Sequence, residues 1–174
     1  SQDICFIPSG DYRAFLKERI TPKPGNIVDT NGTILGTHPG IEFFTVGQRR
    51  GLSINGHQSQ YVIDIDAQSS EIVVGNEENL YSDRLLASDV NYTSGEIPVK
   101  PVRARVKIRY KSPEAEATIH PSGENALVVF QESQRSITPG QAVVFYKDEE
   151  VIGGGRIASQ VLARRHQIEH SPTV

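Results

Sequence analysis

The spacing of apolar and polar residues changes along the chain, and each change predicts a different element. Behind the turn signal Pro8, Ser9, Gly10, the residues Tyr12, Phe15, Leu16 and Arg19 recur at helical spacing, which predicts one short helix over about 11–19. Ser9 can cap it by accepting a hydrogen bond from an otherwise unpaired backbone N–H, and Pro22, Pro24 and Gly25 stop it. From Asn26 the period falls to two. The stretch IVDTNGTILGTH sets Asn31 and Gly32 between two apolar pieces, and both tolerate the positive φ of a tight hairpin. A second hairpin pairs 60–66 with 71–75, because Tyr61, Ile63 and Ile65 alternate with more polar residues except at Val62. Residues 43–51 fit neither period.

One helical turn is expected at 76–80, and then strand-sized runs follow at 84–92, 101–110, 115–120, 126–131, 141–146 and 150–157. Their short, regular spacing and the Pro, Gly and Ser between them predict an antiparallel barrel or sandwich. The expected organisation is an N-terminal segment 1–20, a small β-rich central domain 21–83 with short helices, a β domain 84–162, and a flexible polar tail 163–174 that contains Pro172.

Composition narrows the class further. Of 174 residues, 37% are apolar and 22% charged, with 15 Gly and 10 Pro, which excludes a disordered chain and disfavours a helical bundle. The longest apolar runs, 126–130 and 142–146, are five residues each, against the roughly 20 that span a bilayer, so no membrane span is predicted. Cys5 is the single cysteine and has no partner for an internal disulfide, and no basic-then-apolar leader opens the chain. A reducing cytoplasm is the expected compartment. With no methionine and an opening SQDICFI, the sequence reads as a fragment of a longer protein.

Charge is uneven. Lys100, Arg103, Arg105, Lys107, Arg109 and Lys111 lie within twelve residues that hold no acid, so the other twelve basic residues stand against all 21 acids. Val102, Ala104, Val106, Ile108 and Tyr110 alternate with four of these cations. A strand would therefore bury one face and project cations about 6 to 7 Å apart along the other, close enough to track a nucleic-acid backbone. The bland alternative is a solvated sheet face with cross-strand ion pairs. With a four-residue loop at 111–114, Arg109 would face Glu116, a pair worth ~0.2 to 1 kcal/mol, while Arg103 and Arg105 would lack acidic partners.

Other chemistry is sparse. Cys5 is the one strongly nucleophilic side chain, yet a lone cysteine is more commonly a small buried apolar residue, and Asp3 beside it would raise the thiol pKa. His166 and His170 fall in an HxxEH arrangement, but only four residues follow, too few for a helix bearing a third zinc ligand. No metal site is expected. Gly153, Gly154, Gly155 and Arg156 lack the Lys-Ser or Lys-Thr of a phosphate loop and sit in a strand pattern, so a strand bend is expected there. Thr138, Pro139, Gly140 and Gln141 read as a turn that leaves Gln141 at the mouth of a strand.

Four segments together, SQDICFI at 1–7, DTNGTILGTHPGIEFFTVGQRRGL at 29–52, RARVKIRYKSPEAEATI at 103–119 and SITPGQAVVFYKDEEVIGGGRI at 136–157, resemble the tRNA-specific 2-thiouridylase family. The resemblance implies sulfur insertion at C2 of the wobble uridine of certain tRNAs, with ATP activating that carbon by adenylation. A cysteine matching Cys5 would carry the sulfur as a persulfide supplied by a sulfur-donor protein. A second, upstream cysteine would assist and could form a disulfide with it. The resemblance also implies a six-stranded antiparallel β-barrel like the second domain of elongation factors, and tRNA contacts at Arg109, Tyr110 and Gln141. Arg103, Arg105, Lys107, Arg49 and Arg50 are further candidates for tRNA contact, on charge. The family's SGGxDS loop for ATP has no counterpart in this chain, so the chain alone is expected to bind no cofactor and to be inactive. The competing expectation is a non-catalytic RNA-binding module in which Cys5 is structural.

Overall fold

The computed structural model describes residues 15, 16, 18–52, 54 and 60–158. Cys5, most of the predicted helix, the HxxEH residues and the tail lie outside the described residues. Phe15 and Leu16 are helical, and the Leu16 carbonyl accepts from Arg19 N and Ile20 N, both at 2.9 Å, just ahead of Pro22. The chain divides into two compact units between Val74 and Gly75.

The first unit is built on a four-stranded sheet of β1 (Gly25–Val28), β2 (Ile34–His38), β3 (Tyr61–Asp66) and β4 (Glu71–Gly75), in the order β2-β1-β4-β3. β1 and β2 are the predicted antiparallel hairpin, and β1 runs parallel to β4 with Ile27 opposite Ile72. Of the two turn residues, only Gly32 adopts positive φ, at 86°. The turn starts earlier than expected because the Asp29 carboxylate accepts from both Asn31 N and Thr33 N at 2.8 Å, fixing a wider loop. Those backbone hydrogen bonds, Thr33's foremost, hold the Asp29 carboxyl below its usual range.

Ile27, Val46, Val62, Ile72 and Val74 form the core of this unit. β3 has the opposite phase to that suggested by its alternation: Val62, Asp64 and Asp66 are buried, whereas Tyr61, Ile63 and Ile65 are half-buried. The two inward carboxylates tolerate this because backbone amides satisfy them. Asp64 accepts from Ile65 N and Asp66 from Gln68 N, each at 2.9 Å, so Asp66 also closes the turn into β4.

The second unit opens with the expected helical turn, a 3-10 turn at Glu77–Leu80. It leads into β5 (Tyr81–Tyr92), β6 (Val102–Lys107), β7 (Ala115–Ser122), β8 (Asn125–Arg135), β9 (Ala142–Lys147) and β10 (Glu150–Ile157). These six antiparallel strands close into a barrel in the order β10-β5-β8-β7-β6-β9, which settles barrel over sandwich. Alternate side chains, among them Leu85, Val106, Ile119, Val128 and Phe145, fill the interior, as a barrel this narrow requires.

Gly153, Gly154 and Gly155 lie within β10, where the register shifts against both neighbours. A Cβ at Gly154 would stand 2.6 Å from the Val143 carbonyl oxygen, and one at Gly155 2.5 Å from that of Ser88. The glycine run is thus the bend at which β5 and β9 crowd β10, not a phosphate loop.

Candidate nucleic-acid interface

Antiparallel pairing decides which loops share an end of the barrel. Lys107 pairs with Val144, so the end of β6 adjoins the start of β9, and Tyr81 pairs with Arg135, so the start of β5 adjoins the end of β8. The connections at 108–114 and 136–141 consequently emerge at one end. Arg109, Tyr110 and Gln141, separated by up to 32 positions in sequence, are gathered there.

β6 stops at Lys107 rather than continuing to 110, and its pairing with β7 differs from the expected register by four residues. Arg105, not Arg109, faces Glu116, and Val106 faces Ala115. The cause lies in Ser112 and Pro113. The Arg109 carbonyl accepts from Ser112 N at 3.2 Å and from Ser112 Oγ at 3.0 Å, closing a turn over 109–112, and Pro113 has no N–H for the ladder. Ile108 still turns inward and is buried, which prolongs the apolar alternation past the end of the strand.

This register redistributes the cations. Arg105 forms an ion pair with Glu114 at 3.1 Å and donates to the Asp148 carbonyl, so it does have an acidic partner. Arg103 is exposed and forms no ion pair among the described residues, and Lys107 is half-buried on the same strand. Tyr110 stands at the tip of the 109–112 turn with 88% of its surface exposed. Gln141 is exposed, with its backbone carbonyl accepting from Ile157 N at 2.8 Å.

The turn at 138–141 was legible in the sequence, but the backbone conformation just ahead of it was not. Ser136 holds a left-handed φ of 53°, its N donates to the Leu80 carbonyl at 2.6 Å, and its own carbonyl accepts from Thr138 Oγ1 at 3.0 Å. Ile137, 2% exposed, then inserts into the barrel core. Arg109 reaches across this end, and its Nη2 donates to the carbonyls of both Arg135 and Ser136. The sequence signal was the pair Thr138 and Gly140, with Gly140 at φ 82°, but nothing local announces a left-handed serine.

Arg49 and Arg50 belong to the other unit. The loop bearing them is fixed by Gln48, whose Oε1 accepts from Thr45 N at 3.1 Å and whose Nε2 donates to the Arg50 carbonyl at 2.9 Å. Both arginines are exposed, and the Arg49 guanidinium lies 6.0 Å from the Tyr61 ring centroid. Among the described residues no three metal-binding side chains gather, and no helix is long and apolar enough to cross a membrane.

Two family models match the chain in succession. Residues 13–76 match the tRNA methyl transferase PRC-barrel domain, and residues 82–157 the aminomethyltransferase beta-barrel domain. The chain is therefore a tandem of these two domain types. It is 44% identical over 160 residues to the tRNA-specific 2-thiouridylase MnmA of Halothermothrix orenii, a match covering 90% of this chain and 45% of that protein. The proteins of the same name from Carboxydothermus hydrogenoformans and Clostridium kluyveri are 46% and 47% identical, covering 92% and 91% of this chain and 45% and 46% of their own lengths. The chain belongs to the tRNA-specific 2-thiouridylase family, as its C-terminal part, and spans slightly under half the length of these relatives.

Proposed function

We propose that the intact protein inserts sulfur at C2 of the wobble uridine of tRNA, and that this part of it holds the tRNA and carries the sulfur-bearing cysteine, Cys5. The observation that carries the reading is the convergence of Arg109, Tyr110 and Gln141 on one barrel end, in a chain 44% to 47% identical to 2-thiouridylases over nine-tenths of its length. An exposed ring at a turn tip offers a face for an unpaired base, and a neighbouring amide can read a base edge or ribose hydroxyl. Lys107, at the end of β6, supplies positive charge beside that end, Arg103 supplies it near the start of the same strand, and Arg49 and Arg50 supply it on the first unit.

The chemistry follows from the substrate. A pyrimidine carbonyl oxygen leaves poorly, so it is first adenylated by ATP, whose α–β phosphoanhydride breaks with release of pyrophosphate. The terminal sulfur of a Cys5 persulfide, delivered by a sulfur-donor protein, then attacks C2 while the second thiol of the intact protein opens the S–S bond. Adenylate leaves as AMP, and the two cysteines end as a disulfide that a reductant reopens. The nucleotide loop of the family has no counterpart in this sequence, so the adenylation step is assigned to the remainder of the protein.

Incubating the intact protein with a cysteine desulfurase and cysteine, then measuring its mass, tests the reading. A gain of one sulfur that is absent in Cys5→Ser, together with loss of tRNA thiolation in that variant, is the expected result. An unchanged mass profile and undiminished thiolation in Cys5→Ser would leave a non-catalytic RNA-binding module.

A further inference from the structure

Arg109 lies on the tRNA-facing end by charge and position, yet its hydrogen bonds run inward. One guanidinium nitrogen, Nη2, donates to two consecutive carbonyls, Arg135 and Ser136, at the end of β8. Those carbonyls begin the loop that ends in Gln141. The same loop is pinned at Ser136 N by the Leu80 carbonyl, at the Ser136 carbonyl by Thr138 Oγ1, and at Gly140 N by the Ile157 carbonyl at 2.7 Å. A non-glycine residue at φ 53° persists only where its surroundings over-determine it, and Arg109 supplies part of that constraint. Tyr110 follows Arg109 directly, so the guanidinium ties the turn that presents the ring to the loop that presents the amide.

Resting on the tRNA-binding reading above, we propose that Arg109 is a positioning residue: it sets the spacing of Tyr110 and Gln141 by bridging the two connections, rather than neutralising a phosphate. Both bonds leave one nitrogen, so they use the two N–H bonds of Nη2, whose directions the rigid guanidinium plane fixes. A lysine keeps the charge and has three donors, but they rotate freely on a flexible stem and do not hold two carbonyls at a fixed geometry.

The two roles make opposite predictions for charge-conserving substitution. Affinity of the intact protein for unmodified tRNA is measured over a range of salt for wild type, Arg109→Lys, Arg109→Gln and Thr138→Val, with thermal melts to confirm folding. Positioning predicts that Arg109→Lys and Arg109→Gln weaken binding alike, by about tenfold, with the log–log salt slope unchanged. Thr138→Val, which alters no charge but frees the same carbonyl, weakens it a few-fold in the same way. A wild-type affinity in Arg109→Lys with a slope ~0.7 to 0.9 shallower in Arg109→Gln would make Arg109 a phosphate ligand and overturn the proposal. Should Arg109→Lys not fold, Thr138→Val decides, and unaltered affinity there overturns it. If Tyr110→Ala and Gln141→Ala both bind tRNA as wild type, the barrel end is not the RNA surface, and the reading beneath the proposal fails first.

Discussion

Replacing Tyr110 by alanine separates recognition from stability. The ring is 88% exposed at a turn tip closed by Ser112, and its removal opens no cavity. The expected change in unfolding free energy is therefore within about 0.5 kcal/mol, typical of a surface substitution away from buried features. If an unpaired base stacks on the ring, the variant loses ~1 to 3 kcal/mol of binding, about five- to 150-fold in Kd. Stacking involves no counterion, so the salt slope stays as in wild type, and Tyr110→Phe, which keeps the ring, stays within a few-fold of wild type. Fluorescence anisotropy with labelled unmodified tRNA reads both quantities, and urea unfolding supplies the stability control. Unchanged affinity in Tyr110→Ala would refute the stacking argument. A large loss of stability would refute the claim that the ring is held away from the core.

Three further substitutions probe the frame that presents this end. Ile137→Ala leaves a cavity at the barrel end and should cost ~2 to 5 kcal/mol in urea unfolding; a change under 1 kcal/mol would mean that Ile137 is not part of the core. Tyr92 packs on Phe145 with ring centroids 6.5 Å apart, its hydroxyl is buried without a partner among the described residues, and burial raises its pKa. Tyr92→Phe should thus leave the melting temperature unchanged or raise it, and a clear fall would reveal a partner for the hydroxyl. Because native hydrogen bonds lower the Asp29 pKa, its carboxylate stabilises the fold fully above its ordinary value of 3.8 and progressively less as the pH falls below that. The melting-temperature gap between wild type and Asp29→Ala should accordingly be widest near neutrality and shrink in acid; a constant gap would contradict the linkage.

Most strands of the two units were legible in the chain because they, β6 and β9 among them, half-bury a period-two pattern between Gly, Pro and Ser punctuation. What was not legible depended on partners distant in sequence. Alternation through Val106, Ile108 and Tyr110 suggested one continuous strand, yet Ile108 is buried beyond the ladder as part of the barrel core. Periodicity reports burial, not hydrogen bonding, so it could not mark where the strand ended; Ser112 and Pro113 did. In β3 the apolar face was misread because the inward Asp64 and Asp66 are satisfied by backbone amides, Asp64 by that of Ile65 in the strand and Asp66 by that of Gln68 in the turn that follows. The site shows the same division. Tyr110, Gln141 and the cations could be named from residue type and family resemblance, whereas the inward reach of Arg109 needed the Ser136 carbonyl, 27 residues away.

Amide hydrogen exchange on the intact protein, with and without saturating unmodified tRNA, tests the central claim most directly. The account predicts slowed exchange in 108–114 and 136–141, the two connections that emerge at one end of the barrel. Exchange in both segments identical to that of the free protein, with protection confined elsewhere, would contradict it.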